Sequence, residues 1–320
     1  MIMEIKPDIP GPGQIREAHE RIKSFINHTP VITSHTLDRL NHCNIFFKCE
    51  NFQKVGAFKA RGATNAVRSL DPAMLKNGVA THSSGNHAQA LSWAASLAGV
   101  TAYIVMPSDS SPVKINAVKG YGGKITFCAP TLSSRESTLQ KLISETCATE
   151  IHPYNNLGII AGQATAALEL IEEVPGLDII LAPVGGGGLL SGTALAAYYF
   201  SPLTKVVAAE PEQADDAYRS FRSGSIIPSV NPKTIADGLR TSLGSLTFPV
   251  IQKHVSEIVT VSEDGILNAM KFIWERMKIL IEPSSAVPYA AILEQKIKIE
   301  GKRIGIIISG GNVDLDNLPW

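Results

Sequence analysis

Residues 179–192 read Ile-Ile-Leu-Ala-Pro-Val-Gly-Gly-Gly-Gly-Leu-Leu-Ser-Gly: an apolar run halted by four consecutive glycines and resumed as a helix-forming segment. A strand that is apolar at every position has no wet face, so both of its sides are covered, as in a parallel sheet flanked by helices. The same alternation recurs along the chain. Strands are expected at 101–107, 124–128, 178–184, 205–210, 258–261 and 303–308, and helices at 88–98, 136–148, 189–200, 263–277 and 285–296. Strands separated by helices of ten or more residues imply βαβ units. Ligands of such α/β folds bind beyond the carboxyl ends of the strands. Turn-rich stretches at 107–112 and 153–158 suggest a small domain at 78–155 inserted into a larger one formed by 1–77 and 156–320.

Composition limits the function. With 44% hydrophobic and 18% charged residues among 320, the chain is globular. Basic and acidic residues balance at 29 each, so no global field recruits nucleic acid or an anionic membrane. The first residues lack the basic start and apolar run of a signal peptide, and proline or glycine breaks each apolar stretch short of a membrane span. Cys43, Cys49, Cys128 and Cys147 form no C-x-x-C pair and read as reduced thiols of a cytoplasmic protein. The eight histidines give no H-E-x-x-H, which argues against a zinc enzyme.

Polar loops follow several of the expected strands. Consecutive glycines at 185–188 let backbone N–H groups turn into one concavity, and the helix start behind them adds positive potential. The pattern is neither G-x-G-x-x-G nor a Walker loop, so it suits a single phosphate better than a dinucleotide or nucleoside triphosphate. Thr81-His-Ser-Ser-Gly-Asn-His87 is either a plain capped turn or a cup for a carboxylate. In it Ser84 and Asn86 flank a glycine able to take positive φ, with Asn86 near an N-cap. Ile308-Ser-Gly-Gly-Asn312 places Ser309 at another strand end. Glu210-Pro-Glu-Gln-Ala-Asp-Asp216 is either a helix-start acid cluster or an oxygen-ligand cation site. Arg135 sits near a helix start, where arginines are usually solvated. Finally, "VGAFKARGA" plants Lys59 among small apolar residues. A lysine amine attacks an aldehyde only when deprotonated, and burial lowers its pKa from about 10.4. A buried lysine together with a phosphate cradle suggests pyridoxal phosphate.

The segments "FKCENFQKVGAFKARGA", "HSSGNHAQA", "PVGGGGLLSG", "EPEQADDAYRSF", "TIADGL", "WERMKILIEP" and "ISGGNVDL" together resemble the serine racemase and serine/threonine dehydratase family, from about Thr29 to Leu315. That resemblance implies pyridoxal phosphate fold type II, the tryptophan-synthase-β type, with two open, mostly parallel twisted sheets flanked by helices. It implies that Lys59 holds the cofactor and acts as base at the substrate Cα, with Phe58 beside the ring and Asn86 on its phenolic oxygen. Gly185, Gly186, Gly187 and Gly188 would take the phosphate, and Ser309 would face the pyridine nitrogen. Ser83, Ser84 and Gly85 would grip the substrate carboxylate, with His87 in the same loop and Ser84 serving as the second acid–base. Arg135 and Ser242 match positions at the distal end of the substrate pocket. Glu210, Ala214 (through its carbonyl) and Asp216 match a divalent cation site for Mg2+, Ca2+ or Mn2+.

The expected activity is racemisation of serine together with β-elimination from L-serine or L-threonine. The alternative on the same residues is an L-threo-3-hydroxyaspartate ammonia-lyase, with Arg135 reading the second carboxylate. A non-catalytic small-molecule-binding protein of the same fold is the reading from another class. A homodimer is the family's habit. No motif identifies the site at which family members take ATP as an effector. No regulatory domain is expected after the SGGN segment, which argues against an allosterically inhibited threonine dehydratase.

Overall fold

The computed structural model describes residues 9–320. The N-terminal residues 1–8, included in the signal-peptide reading above, lie outside it. Ten strands alternate with helices: β1 (Val31–Ile32), β2 (Asn44–Cys49), β3 (Val79–His82), β4 (Ala102–Pro107), β5 (Lys124–Cys128), β6 (Thr149–Glu150), β7 (Ile179–Pro183), β8 (Lys205–Pro211), β9 (Glu257–Val261) and β10 (Arg303–Ile308). They form a six-stranded sheet in the order β1-β2-β10-β7-β8-β9 and a four-stranded sheet in the order β5-β4-β3-β6. Every pairing is parallel except that of β1 with β2. This is the parallel-rich α/β architecture expected from the sequence. Among the described residues no helix is long and apolar enough to cross a membrane.

The apolar strands are buried on both faces because a parallel sheet needs helices on each side. In β7, Ile179 and Leu181 join one core while Ile180 and Ala182 join the other. β8 divides in the same way, Val207 and Ala209 against Val206 and Ala208. Helices Glu263–Met277 and Pro283–Leu293 cover the first face; Leu157–Glu173 and Gly188–Phe200 cover the second. The final helix was expected at 285–296; it starts at Pro283, whose fixed φ suits a first turn, and stops at Leu293.

Helix Leu157–Glu173 is not visible in the amphipathic pattern, because it is buried almost all round. Glycines let its neighbours come close. A Cβ on Gly162 would lie 2.6 Å from the Cα of Gly62, and one on Gly192 would lie 2.6 Å from the amide nitrogen of Ala164. Helix Lys59–Arg68 is thereby pressed onto the large sheet's covering helix. A buried charge cluster binds the same junction. Arg61 bonds Glu50 (Nε to Oε2, 2.7 Å) and Glu169 (Nη1 to Oε1, 2.7 Å), while Lys48 Nζ donates to Glu169 Oε2 at 2.6 Å and to the Thr29 carbonyl at 2.6 Å. All four charged side chains are nearly inaccessible. Two cations and two anions close on each other, which is the condition under which buried charge is tolerated.

Candidate active site

Because β2, β10, β7 and β8 run parallel, their carboxyl ends open on one edge of the sheet. The segment leading to Lys59 is stitched to the loop after β10. Phe58 N–H donates to the Ser309 carbonyl at 2.9 Å, Ala57 pairs with Gly310, and Gly311 N–H donates to the Gly56 carbonyl at 2.9 Å. Val55 stands at φ 54°, a left-handed conformation uncommon for a β-branched residue. The Lys59 amine does not snorkel to water. It donates to the Pro153 carbonyl at 2.8 Å and lies 5.2 Å from the centre of the half-buried Phe58 ring. Burial pulls its pKa down to about 8, against the opposing pull of Glu282, so a substantial fraction of the amine is neutral near physiological pH.

The glycine loop emerges from β7 beside β10. Its N–H groups from Gly185 to Gly188 donate to nothing among the described residues, and helix Gly188–Phe200 begins directly behind it. Only Gly187 uses positive φ, at 88°; the other three glycines are required by close approach. A Cβ on Gly186 would fall 2.3–2.4 Å from three ring atoms of Tyr154, and one on Gly185 would lie 2.9 Å from the Cα of Leu239 in the TIADGL segment. A run of free N–H groups at a helix start, too tight for any side chain, fits a phosphate.

β3 delivers the serine loop. Ser83 N–H extends the ladder onto the Val105 carbonyl at 3.1 Å, and Ser84 is half-buried beyond it. Gly85 does not use the positive φ open to it: it sits at φ −122° as the N-cap, with Asn86 the first residue of helix Asn86–Leu97. The Asn86 side chain reaches away from its own helix. Its Nδ2 donates to both oxygens of Glu282 at 3.0 Å, and its Oδ1 accepts from Asn312 Nδ2 at 2.9 Å. His87 is buried with Nε2 on the Ile151 carbonyl at 3.0 Å. Burial, then the charge of Lys59, holds its pKa well below the ordinary value, so it is neutral. Ser309 is buried, its hydroxyl 2.9 Å from that of Ser285.

Arg135 lies in the first turn of helix Leu132–Thr146, half-buried, with a buried Nε that has no partner. It is close enough to His82 to add to burial in lowering that imidazole's pKa. His82 packs edge-on against His152 with ring centres 6.0 Å apart, and His152 against Tyr154 at 4.6 Å. The Nδ1 of His152 accepts from the N–H groups of Tyr154 and Asn155 at 3.3 and 2.9 Å, which assigns its proton to Nε2. Burial, then His82 and Lys59, pushes its pKa down to about 4. Ser242 is engaged elsewhere, its Oγ accepting from Ser229 N–H at 2.8 Å.

Glu210 and Asp216 are both fully buried. Glu210 caps the helix Asp216–Ser223, accepting from Ala217 N–H at 3.0 Å and Tyr218 N–H at 2.8 Å. Both oxygens of Asp216 are buried without a hydrogen-bond partner. Burial raises the pKa of each acid, that of Asp216 to about 6. Among the described residues no group of three or more His, Cys, Asp or Glu is placed to hold a metal ion by itself. Two carboxylates, one of them orphaned, fit a hard cation that also takes carbonyl oxygen.

Sequence reasoning missed Glu282, Asn312, His152 and Tyr154. An acid before proline at a helix start looks like ordinary dipole complementarity; only its bond to Asn86, 196 residues away, reveals another task.

Comparison with known proteins agrees with this geometry. A family model described as pyridoxal-phosphate dependent enzyme matches residues 22–310. The chain belongs to that family. The β-hydroxyaspartate dehydratase of Paracoccus denitrificans is 54% identical over 312 residues, covering 98% of this chain and 99% of that protein. The crystal structure of serine racemase from Dictyostelium discoideum superposes with a TM-score of 0.91 at 54% identity, covering 95% of this chain and 98% of that one. That of the T.th. threonine deaminase gives 0.91 at 40% identity, covering 96% and 99%. The pyridoxal phosphate enzyme was therefore legible in the sequence, and the non-catalytic alternative loses its ground.

Proposed function

We propose that this pyridoxal phosphate enzyme is a serine racemase that also dehydrates L-serine and L-threonine. One observation carries the reading: the Lys59 amine is turned inward, partly neutral, at the edge of the sheet where the free N–H groups of Gly185–Gly188 emerge. When bound, the cofactor would hold the substrate amine covalently and withdraw electrons from Cα. Its phosphate would rest on Gly185, Gly186, Gly187 and Gly188, with Phe58 beside the ring, Asn86 at the phenolic oxygen and Ser309 at the pyridine nitrogen. Ser83, Ser84 and Gly85 would hold the substrate carboxylate, next to His87. Lys59 would take the Cα proton, and Ser84 would return one from the opposite face, giving the other enantiomer. Departure of the β-hydroxyl instead leads, after hydrolysis, to pyruvate or 2-oxobutyrate and ammonia.

The cation site is part of this proposal. Mg2+, or Ca2+ or Mn2+, would sit between Glu210, Asp216 and the Ala214 carbonyl, balancing two buried negative charges and tying the end of β8 to the next helix. The same reading makes the protein a cytoplasmic homodimer, with ATP as its candidate effector. Its small domain would comprise 78–155 and its large domain 1–77 with 156–320. The four free cysteines support the reducing compartment.

The unpartnered Nε of Arg135, and a dehydratase of β-hydroxyaspartate at 54% identity, favour a second reading. In it Arg135 pairs with the β-carboxylate of L-threo-3-hydroxyaspartate, and Ser242 would have to give up its bond to Ser229 N–H to join it. Two measurements test both. Borohydride reduction and peptide mass spectrometry must show a pyridoxyl adduct on Lys59; its absence ends the cofactor reading. Chiral analysis of D-serine and pyruvate from L-serine, with and without Mg2+, compared with turnover of 3-hydroxyaspartate in wild type and Arg135→Ala, separates the substrates. Ser84→Ala should suppress racemisation more than elimination, and equal loss of both would remove Ser84 as the second acid–base.

A further inference from the structure

Glu282 is a buried acid to which the roles above give no task. It precedes Pro283 at the start of helix Pro283–Leu293 yet makes no side-chain cap there. Its carboxyl instead receives Asn86 Nδ2 at 3.0 Å on each oxygen and the Asn312 backbone N–H at 3.2 Å. A Cβ on Gly310 would touch the carboxyl at 3.1 Å, so the loop after β10 is wrapped onto this acid. Asn312 closes the ring, its side-chain amide donating to the Val55 carbonyl at 2.8 Å and to Asn86 Oδ1 at 2.9 Å.

A donor count fixes every direction in this ring. Asn312 Nδ2 has two hydrogens, and both are committed to carbonyl oxygens. That holds Oδ1 of Asn86 towards Asn312 and hence its Nδ2 towards Glu282. The two equal distances to the carboxyl match one N–H shared between two oxygens, which leaves the second N–H of Asn86 for a ligand. An ionised Glu282 accepts this arrangement. A protonated one keeps a single carbonyl oxygen for Asn86 and sets its O–H against the shared N–H, which weakens the grip, and an Asn86 that turned to relieve the clash would set its own N–H against that of Asn312. The charge of Glu282 and the hold on Asn86 are therefore coupled. Lys59, Lys114 and Asp237 are the charged groups that face the acid. Lys59 and Lys114 favour its ionised form and Asp237 opposes it. Lys114 itself is paired with Asp237.

We propose that Glu282 is a positioning residue for the cofactor ring: as a carboxylate it locks Asn86 against Asn312 with one amide N–H free for the ring's phenolic oxygen, and on protonation it releases that grip. This rests on the reading of Lys59 and Asn86 as cofactor contacts. Burial brings the acid to about pH 7 in the absence of ligand, so the switch lies in an accessible range.

The test is equilibrium binding of pyridoxal phosphate to the apoprotein, followed by absorbance from pH 6 to 8.5. Free cofactor and Lys59 titrate as well, so the reading is the difference between variant and wild type. Glu282→Gln should bind about tenfold more weakly at pH 8, the scale of one charge-assisted hydrogen bond, and little more weakly at pH 6. Asn312→Ala, a change at an exposed position, frees Asn86 to turn and accept from a protonated Glu282. It should move the wild-type midpoint upward. Curves in either folded variant that parallel wild type across the range would overturn the proposal, as would a loss of thermal stability in apo Glu282→Gln with no change in cofactor affinity or spectrum. Lys59→Ala tests the site beneath it. If that variant keeps the wild-type absorbance shift, the cofactor reading has failed and takes this proposal with it; if the shift is lost, parallel curves in the other variants refute only the role of Glu282.

Discussion

Replacing Glu169 by glutamine would unbalance the charge cluster that seats the Lys59 helix. Lys48, Arg61, Glu50 and Glu169 sum to zero, and the substitution leaves two buried cations facing one anion. Breaking a buried, fully bonded ion pair from one side costs about 3–5 kcal/mol. The titration of Glu169 gives an independent scale. Burial alone would raise its pKa, but Arg61 and Lys48 outweigh burial and hold it at about 2, against 4.5 unperturbed. That difference is worth about 3 kcal/mol. The sign follows from a depressed folded-state pKa: the stabilisation is complete above pH 4.5 and fades as pH falls towards 2. Urea unfolding of the holoenzymes followed by circular dichroism should show the variant about 3 kcal/mol weaker at pH 7. At pH 3.5 the gap should be about 1 kcal/mol narrower. Adding Lys48→Met restores one cation to one anion, so the double variant should recover part of the loss. A gap below about 1 kcal/mol at pH 7, a gap unchanged at pH 3.5, or strictly additive losses would refute the reasoning.

Gly186→Ala drives a methyl into the Tyr154 ring and should weaken binding of pyridoxal phosphate at least about tenfold, measured by fluorescence titration, with Tyr154→Leu recovering part of the loss. Gly162→Ala sets a methyl against the backbone of Gly62 and should cost about 1–3 kcal/mol in urea unfolding. Asp216→Asn should make the melting temperature insensitive to Mg2+ and to EDTA, whereas the wild type should melt higher with Mg2+.

Much of the architecture is legible because a doubly covered strand has to be apolar throughout. β10 and helix Glu263–Met277 fall at the expected limits, and so does β5, although it is an edge strand whose residues stay largely exposed. β2 escapes because Lys48 interrupts it, and only the bond to Glu169, distant in sequence, shows how that lysine tolerates burial. Helix Leu157–Glu173 escapes because burial on all sides erases the 3.6-residue period. The loops carrying Lys59, the glycines and Ser309 could be read one by one. Their partners could not: Glu282, Asn312 and His152 act through contacts that no local pattern encodes.

The position of β10 has a consequence for how the enzyme is made. It is synthesised long after β2 and β7, yet it lies between them. A ribosome-bound chain that has built β7 and its glycines still lacks the strand that separates β7 from β2. It also lacks the loop that anchors Phe58 and presents Ser309. The nascent large sheet therefore waits with an open slot, and the cofactor site is complete only after β10 has entered the middle of the sheet.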